Sequence, residues 1–355
     1  MIKIIISLIV LVIIGAGAFW YINNTRSAGT INNTADEDVA IENSTNIKRI
    51  SGSDFHRGVL VRPYALGEYS KADLTSQIML AKELGASDVR ANIESSAAIN
   101  DDFVSIAIEN GLNPVLIIEP SLPDFFNTAS YDLAYSLASD YAIRYKNKVK
   151  YYQLANEASG VNIKPSYPGD KKTDYDDQKY AVFLNWIKGL SNGIFDNDPS
   201  AKRIITANWL GVGIIDRLVD DGVHFEIVGW NWYDDMGSSL VKKDSDGKTL
   251  NIPQYLSKYN KEFWVIEINR HKGTLDNDFN AQSTYLANFI NYAADEKLIS
   301  GIFIFPLTDM CNLLDKSEGR MGLVSVNKKT VSVCTIGDKK PAFTTVQKYF
   351  IPIPK

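Results

Sequence analysis

The stretch VKYYQLANEAS, residues 149–159, runs a short β-prone segment straight into Asn156-Glu157, and FWVIEINR, residues 263–270, repeats the arrangement around Glu267. A carboxylate closing a strand that is otherwise suited to full burial carries a desolvation cost, so its position calls for a chemical reason. The fold depends on how many such strands exist and how they alternate with helices. Short apolar runs recur at Arg57–Val61, Asp88–Ile93, Pro114–Ile118, Val149–Ala155, Arg203–Ala207, Glu226–Trp230, Phe263–Ile268 and Gly301–Phe305. These are eight runs, the number a closed parallel barrel requires.

The segments between them have helical spacing. Tyr180, Phe183, Leu184 and Ile187 fall at i, i+3, i+4 and i+7, as do Leu286, Phe289, Ile290 and Ala293. Leu74, Ile78, Ala81 and Leu84 mark another apolar face, and Leu133, Leu137 and Tyr141 a further one. Glycines follow helical stretches at Leu84-Gly85 and Asn110-Gly111, consistent with left-handed C-caps. Strand followed by helix, repeated, predicts a parallel sheet covered by helices. An open doubly wound sheet gives similar local signals, but its nucleotide-binding form carries a glycine-rich turn after the first strand, and VRPYALGEYS (61–70) has no GxGxxG. The expectation is an α/β chain with a (β/α)8 TIM barrel over 55–355. GLVSVNKKTVSVCT (322–335) reads as an appended C-terminal β-hairpin turning at Asn327-Lys328-Lys329, and KPAFTTVQKYF (340–350) as the last helix.

Ahead of the barrel, Ile4–Ile22 is an uncharged run preceded by Lys3, long enough to span a bilayer. Segment 1–22 therefore reads as a transmembrane signal anchor. A cleaved signal peptide is the competing reading, with Ala16-Gly17-Ala18 as a small-x-small site. Phe19, Trp20, Tyr21 and Ile22 continue the apolar run and favour the anchor. Both readings place the remainder outside the cytoplasm, with the membrane as a partner of the N-terminal segment only. Residues 23–54, rich in Asn, Thr, Ser, Asp and Glu, read as a polar stalk. In an oxidising compartment the two cysteines, Cys311 and Cys334, are expected to form a disulfide. The histidines His56, His224 and His271 show no metal-ligand spacing with them, so neither a metal nor an organic cofactor is expected. A net charge of −5 gives no footprint for a polyanion, which argues against nucleic acid as a partner. Nothing in the chain speaks to oligomeric state.

In a parallel barrel the site forms at the C-terminal ends of the strands. The polar residues there are Arg90, Glu94, Glu119, Asn156-Glu157, Asn208-Trp209, Asn231-Trp232-Tyr233, Glu267-Ile268-Asn269 and Thr308-Asp309. Carboxylates for acid/base work, amides for hydroxyls and aromatics for sugar faces suit a carbohydrate. A retaining glycosidase needs two carboxyls about 5–5.5 Å apart, one to protonate the leaving oxygen and one to attack the anomeric carbon. Strand position alone does not choose the pair, because Glu94 and Glu119 also sit at or just past strand ends.

At these positions the chain resembles the glycoside hydrolases of clan A, which carry Asn-Glu after strand 4 and a single Glu after strand 7. The resemblance covers roughly 55–350 and is to the clan, with family 39 or family 5 as alternative likenesses within it. It implies that Glu157 is the acid/base and Glu267 the nucleophile, that Asn156 contacts the sugar 2-hydroxyl, and that Arg90 in DVRANIE and Tyr233 in WNWYDD bond the nucleophile. Two features depart from the pattern: Ala158 where Pro commonly follows Asn-Glu, and Phe305-Pro306 where a Trp commonly ends strand 8. Asn208, Trp209, Asn231, Trp232 and His271 complete the candidate substrate-binding set. For the two glutamates the competing reading is a structural ion pair with Arg90. Trp232 and Tyr233 could instead fill the rim, one of Trp209 and Trp230 is expected to face the helices, and His271 could be a loop residue. The expected activity is hydrolysis of an extracytoplasmic polysaccharide or oligosaccharide by a retaining mechanism. The alternatives are a non-catalytic glycan- or protein-binding barrel of a surface assembly, or a transglycosidase.

Overall fold

In the computed structural model the structure describes residues 54–64, 68–119, 125–330 and 333–351. Segment 1–22 and all but the last residue of 23–54 lie outside them. The elements in chain order are β1 (His56–Leu60), α1 (Lys71–Leu84), β2 (Asp88–Asn92), α2 (Ala97–Glu109), β3 (Asn113–Ile117), α3 (Tyr131–Arg144), β4 (Tyr151–Gln153) and α4 (Asp177–Asn197). They continue as β5 (Lys202–Asn208), α5 (Val212–Asp220), β6 (Ile227–Tyr233), β7 (Glu262–Asn269), α6 (Phe279–Asp295), β8 (Ile299–Ile304), β9 (Val324–Lys328), β10 (Cys334–Lys339) and α7 (Pro341–Phe350). Strands β1 to β8 pair in parallel, each with its sequence neighbours, and β1 closes on β8. Each of the eight expected runs overlaps one barrel strand.

Local chemistry sets the helix ends. Ser70 Oγ accepts from Asp73 N–H at 3.2 Å while the Asp73 carboxylate accepts from Ser70 N–H at 2.9 Å, a reciprocal cap that starts α1. Gly85, at φ 86°, ends it in the left-handed conformation that glycine adopts without strain. Inside the barrel, Val115, Tyr151, Ile204, Ile227, Trp264, Ile266 and Phe303 form a packed plug. Gly58 makes room for it, since a Cβ there would lie 1.9 Å from the Phe303 ring.

Two local expectations are corrected. On α3 the face turned inward is Ala134, Ala138 and Ala142, whereas Leu133 is exposed and Leu137 and Tyr141 pack at the margin. The reason is close approach to α4: a Cβ on Gly189 would sit 2.4 Å from Tyr131 O and 2.8 Å from Ala134 Cβ, and Gly193 meets Tyr135 and Ala138 in the same way. Small residues four apart on both helices let the backbones touch, which puts the bulkier side chains on the flanks. In the C-terminal hairpin, β9 runs on through Lys328, so the turn falls beyond Asn327-Lys328-Lys329, and β10 pairs from Cys334 (with Lys328) to Lys339 (with Val324). The Cys311–Cys334 disulfide, together with Val326 and Ile336 packed beside it, anchors that register. Helix α7 then packs on α1 and α6, closing the helical layer.

The disulfide spans a sequence separation of 23 residues. Closing a loop of that size in the unfolded chain is worth roughly 3 kcal/mol in the chain-entropy model. Cys334→Ser is therefore expected to lower unfolding stability by about that amount, read from denaturant melts of the reduced and oxidised proteins, with an unchanged midpoint counting against a structural bridge.

Candidate active site

Inward-facing positions alternate along each strand, and at the C-terminal end of the barrel these positions turn from apolar to polar. On β2 the inward residue is Arg90, fully buried. Its guanidinium donates from Nη1 to Glu267 Oε1 at 2.7 Å, from Nε to Gln153 Oε1 at 2.8 Å and from Nη2 to Asn156 Oδ1 at 3.4 Å. The planar fork thus ties β2, β4 and β7 together across the barrel. Tyr233, at the end of β6, donates its hydroxyl to the other Glu267 oxygen at 2.8 Å. Burial and the neighbouring Glu267 and Glu157 charges push the Tyr233 phenol well above its usual range, so it remains a neutral donor.

Glu267 reaches this position because β7 breaks its own alternation. Trp264 and Ile266 belong to the barrel plug and Val265 to the outer layer, so strict period two would turn Glu267 outward. Trp230 pairs with Val265, but the next residue, Asn231, pairs with Glu267, and β8 shows a matching shift between Ile302 and Ile304. This bulge re-phases the strand and points Glu267 into the mouth.

Glu157 lies just past β4 with φ 46°, in the left-handed region where a side chain other than glycine, Asn or Asp is uncommon. Its backbone N–H donates to Thr206 Oγ1 at 2.8 Å, and Thr206 Oγ1 donates to Ala155 O at 3.0 Å. These bonds hold the turn. Asn231 Nδ2 donates to Glu157 Oε1 at 3.0 Å and also approaches Asn156 Oδ1 at 3.5 Å. A chain of polar contacts therefore runs from Glu267 through Arg90, Asn156 and Asn231 to Glu157. Burial and the Glu267 charge push the Glu157 carboxyl up to about 7, against the bonds from Asn231 and Asn208. The two glutamates are thus placed in opposite environments, one gripped by a cation and a phenol, the other facing a like charge.

The remaining candidates divide. Asn208 is buried and accepts from Ser159 Oγ at 2.6 Å, beside Glu157. Trp209 sits at the rim with its ring partly exposed. Trp232 is not in the mouth: it is fully buried on the outward face of β6 and donates from Nε1 to Gly237 O at 2.8 Å. Period two along β6 explains this, since Asn231 and Tyr233 take the inward places. Trp230 also faces outward into the core, as expected for one of the tryptophans. His271 lies in the loop after β7, where its N–H donates to Asp234 Oδ1 at 2.6 Å and its ring is 3.9 Å from the Asp235 carboxylate. Asn269 is fully buried and donates to Phe305 O at 2.6 Å and Met321 O at 2.7 Å, fastening the segments after β8. Asp309 is a structural clamp, ion-paired with buried Lys340 at 2.6 Å and accepting from Gly322 N–H at 2.9 Å.

Three further carboxyls lie near these residues, among them Glu318, which burial and the Glu267 charge push upward and which the sequence reading missed. Burial pushes Glu94 upward, opposed by Arg62, which itself pairs with buried Glu68 at 3.2 Å. Desolvation by the surrounding protein and the Glu267 charge push the Glu119 carboxyl upward and Arg90 opposes them, while its outer side stays exposed. The other residues missing from the sequence reading are Gln153, Thr206 and Ser159. Gln153 and Thr206 carried a usable signal, each being a lone polar residue at an inward position of an apolar run. Ser159 carried none, because its contact with Asn208 joins loops 49 residues apart.

No family model and no curated protein matches the sequence. The similarity lies in three dimensions. A structure described as a family 1 β-glucosidase from Thermotoga maritima superposes with a TM-score of 0.58 at 14% identity, covering 86% of this chain and 98% of that one. The Thermotoga maritima β-glucosidase bound to glucoimidazole gives 0.59 at 14% identity, covering 86% and 98%. Its complex with azafagomine gives 0.59 at 15%, covering 86% and 100%. The chain shares with these glycosidases the closed eight-stranded parallel barrel.

Proposed function

We propose that this chain is a retaining glycoside hydrolase acting on a glycan outside the cytoplasm, either tethered by segment 1–22 or released after its cleavage. The observation that carries the reading is the pairing of unlike glutamates at the ends of β4 and β7: Glu267 bonded to Arg90 and Tyr233, and Glu157 raised to about 7. The sugar-like inhibitors in the Thermotoga maritima structures support a carbohydrate as substrate.

Double displacement assigns the roles. Glu267 attacks the anomeric carbon while Glu157 gives its proton to the departing oxygen. Forming the glycosyl ester removes the Glu267 charge, one of the causes holding Glu157 up, so Glu157 is ionised after giving up its proton and can accept one from the attacking water in the second step. Arg90 and Tyr233 keep the unesterified Glu267 oxygen acceptors fixed in direction, and Asn156, bonded to Arg90, is placed for the sugar 2-hydroxyl. No cofactor enters the scheme.

Glu267→Gln is expected to abolish both turnover and trapping by 2-deoxy-2-fluoro glycosides, monitored by intact-protein mass; retained turnover would remove Glu267 from the nucleophile role, and a barrel that only binds glycan would leave polysaccharide chain lengths unchanged even in the unsubstituted protein. For Glu157→Ala the expected loss on substrates with poor leaving groups is roughly 10²–10⁴-fold, with azide restoring turnover of activated aryl glycosides, and no rescue would assign the proton transfer elsewhere.

The general acid must be protonated, so kcat/KM should fall as pH rises through about 7. Asn231→Ala removes a donor to the ionised form and should move this alkaline limb to higher pH. Glu119→Gln removes a neighbour that is negative only where it is itself ionised, towards the alkaline end of the limb, and should move the limb slightly to lower pH. A limb that stays in place in both variants would count against Glu157 as the acid.

A further inference from the structure

Trp209 is the one tryptophan among the described residues that keeps part of its ring in solvent, with 36% exposure against none for Trp230, Trp232 and Trp264. Its backbone is also held at φ 48°, a conformation that is an outlier for so bulky a residue and that persists only where the surroundings impose it. The surroundings do so here. The Trp209 carbonyl accepts from Trp230 Nε1 at 3.2 Å. Its ring lies nearly parallel to the Trp232 ring, with centroids 6.0 Å apart and planes inclined by 19°, and Trp232 is itself locked through Nε1 to Gly237 O. Two buried indoles therefore brace an exposed one in a strained turn, an arrangement that core packing alone does not require.

The brace is coupled to Glu157. Ser159, two residues past that glutamate, donates to Asn208 Oδ1 at 2.6 Å and accepts from Asn208 N–H at 3.1 Å. A Cβ on Gly211 would lie 2.4 Å from Ser159 Cβ, so the loops after β4 and β5 interlock. An aromatic face fixed relative to Glu157 is fixed relative to whatever Glu157 protonates. In the reading given above, on which this inference rests, that is the glycosidic oxygen of the leaving group.

We infer that Trp209 is the stacking platform for the sugar ring on the leaving-group side of the scissile bond, and so a determinant of which glycans, rather than which small aglycones, are cleaved. The apolar faces of a pyranose suit an indole ring with one side covered and the other open. The same platform receives an acceptor sugar when the glycosyl-enzyme is intercepted. In that step the ester bond to Glu267 breaks, the anomeric carbon bonds to an acceptor hydroxyl oxygen, and the hydroxyl proton passes to Glu157.

The test separates the two halves of the reaction. 2-Deoxy-2-fluoro glycosyl fluorides of the gluco, galacto, manno and xylo series have no sugar in the leaving group, so the trapping rate reports the glycone site and Glu267. Reactivation of the trapped enzyme by cellobiose, lactose or xylobiose reports the leaving-group site. Trp209→Gly removes the ring while supplying the residue that suits φ 48°, so it is expected to fold with little change in Tm. Its acceptor-dependent reactivation should fall about tenfold or more relative to its trapping rate, and Trp209→Tyr should recover most of the loss. An unchanged ratio overturns the inference, as does a parallel fall of trapping, reactivation and Tm, which is the signature of a purely structural indole. Failure of every fluoride to trap the unsubstituted protein would remove the hydrolase reading itself, and the inference with it.

Discussion

The buried guanidinium of Arg90 is the constraint on which the rest of the site depends. An arginine with almost no solvent exposure must have its charge balanced and its donors satisfied, because breaking a buried pair costs roughly 3–5 kcal/mol. Glu267 supplies the charge, while Gln153 and Asn156 accept from the remaining edges of the fork. The geometry of one planar group thus sets the spacing of three strands at the C-terminal end of the barrel. In the hydrolase we propose, the carboxylate that balances it is also the nucleophile, so the ion-pair reading of Glu267 and the nucleophile reading rest on the same contact.

From that pair outward, the network changes character. Asn156 and Asn231 carry it to Glu157, but among the described residues no cation pairs with that carboxyl, and the like charge of Glu267 acts instead. The asymmetry gives two chemically identical side chains different electrostatic environments. Below Arg90, Trp264, Phe303 and their neighbours fill the barrel with apolar volume, and at its N-terminal end His56 pairs with buried Asp88 at 3.0 Å beneath the Trp264 ring. The segments above are held together by short polar stitches such as Ser159–Asn208, so Glu157, Asn208 and Trp209 are positioned as one unit.

Several expectations failed, some where backbone contact overrode a sequence pattern and one where strand alternation itself was decisive. Leu133 marked a helical stripe, but small residues on both partners drew α3 and α4 into contact along the alanine face. Trp232 stood beside two inward residues in the sequence, yet alternation sent it to the outer layer, where its N–H found a carbonyl. Asn327 and Lys328, read as turn residues, pair instead with Thr335 and Cys334 in the ladder, where the disulfide and its apolar neighbours pack.

The amino-acid sequence by itself determined the number and order of the barrel strands, the helices between them, the cysteine pairing and the presence of polar residues at the strand ends, because these follow from short-range periodicity and residue chemistry. Only the tertiary structure decided which of those polar residues meet. Strict alternation would have put Glu267 with Val265 on the outer face, and the bulge that turns it inward is visible only in its pairing with β6 and β8. Likewise Gln153 and Thr206 gain their roles from Arg90 and Glu157, residues distant in sequence. Side-chain periodicity is a property of a single strand, whereas the convergence of charges at the mouth of a barrel depends on the register of eight strands, and that register is set by packing between them.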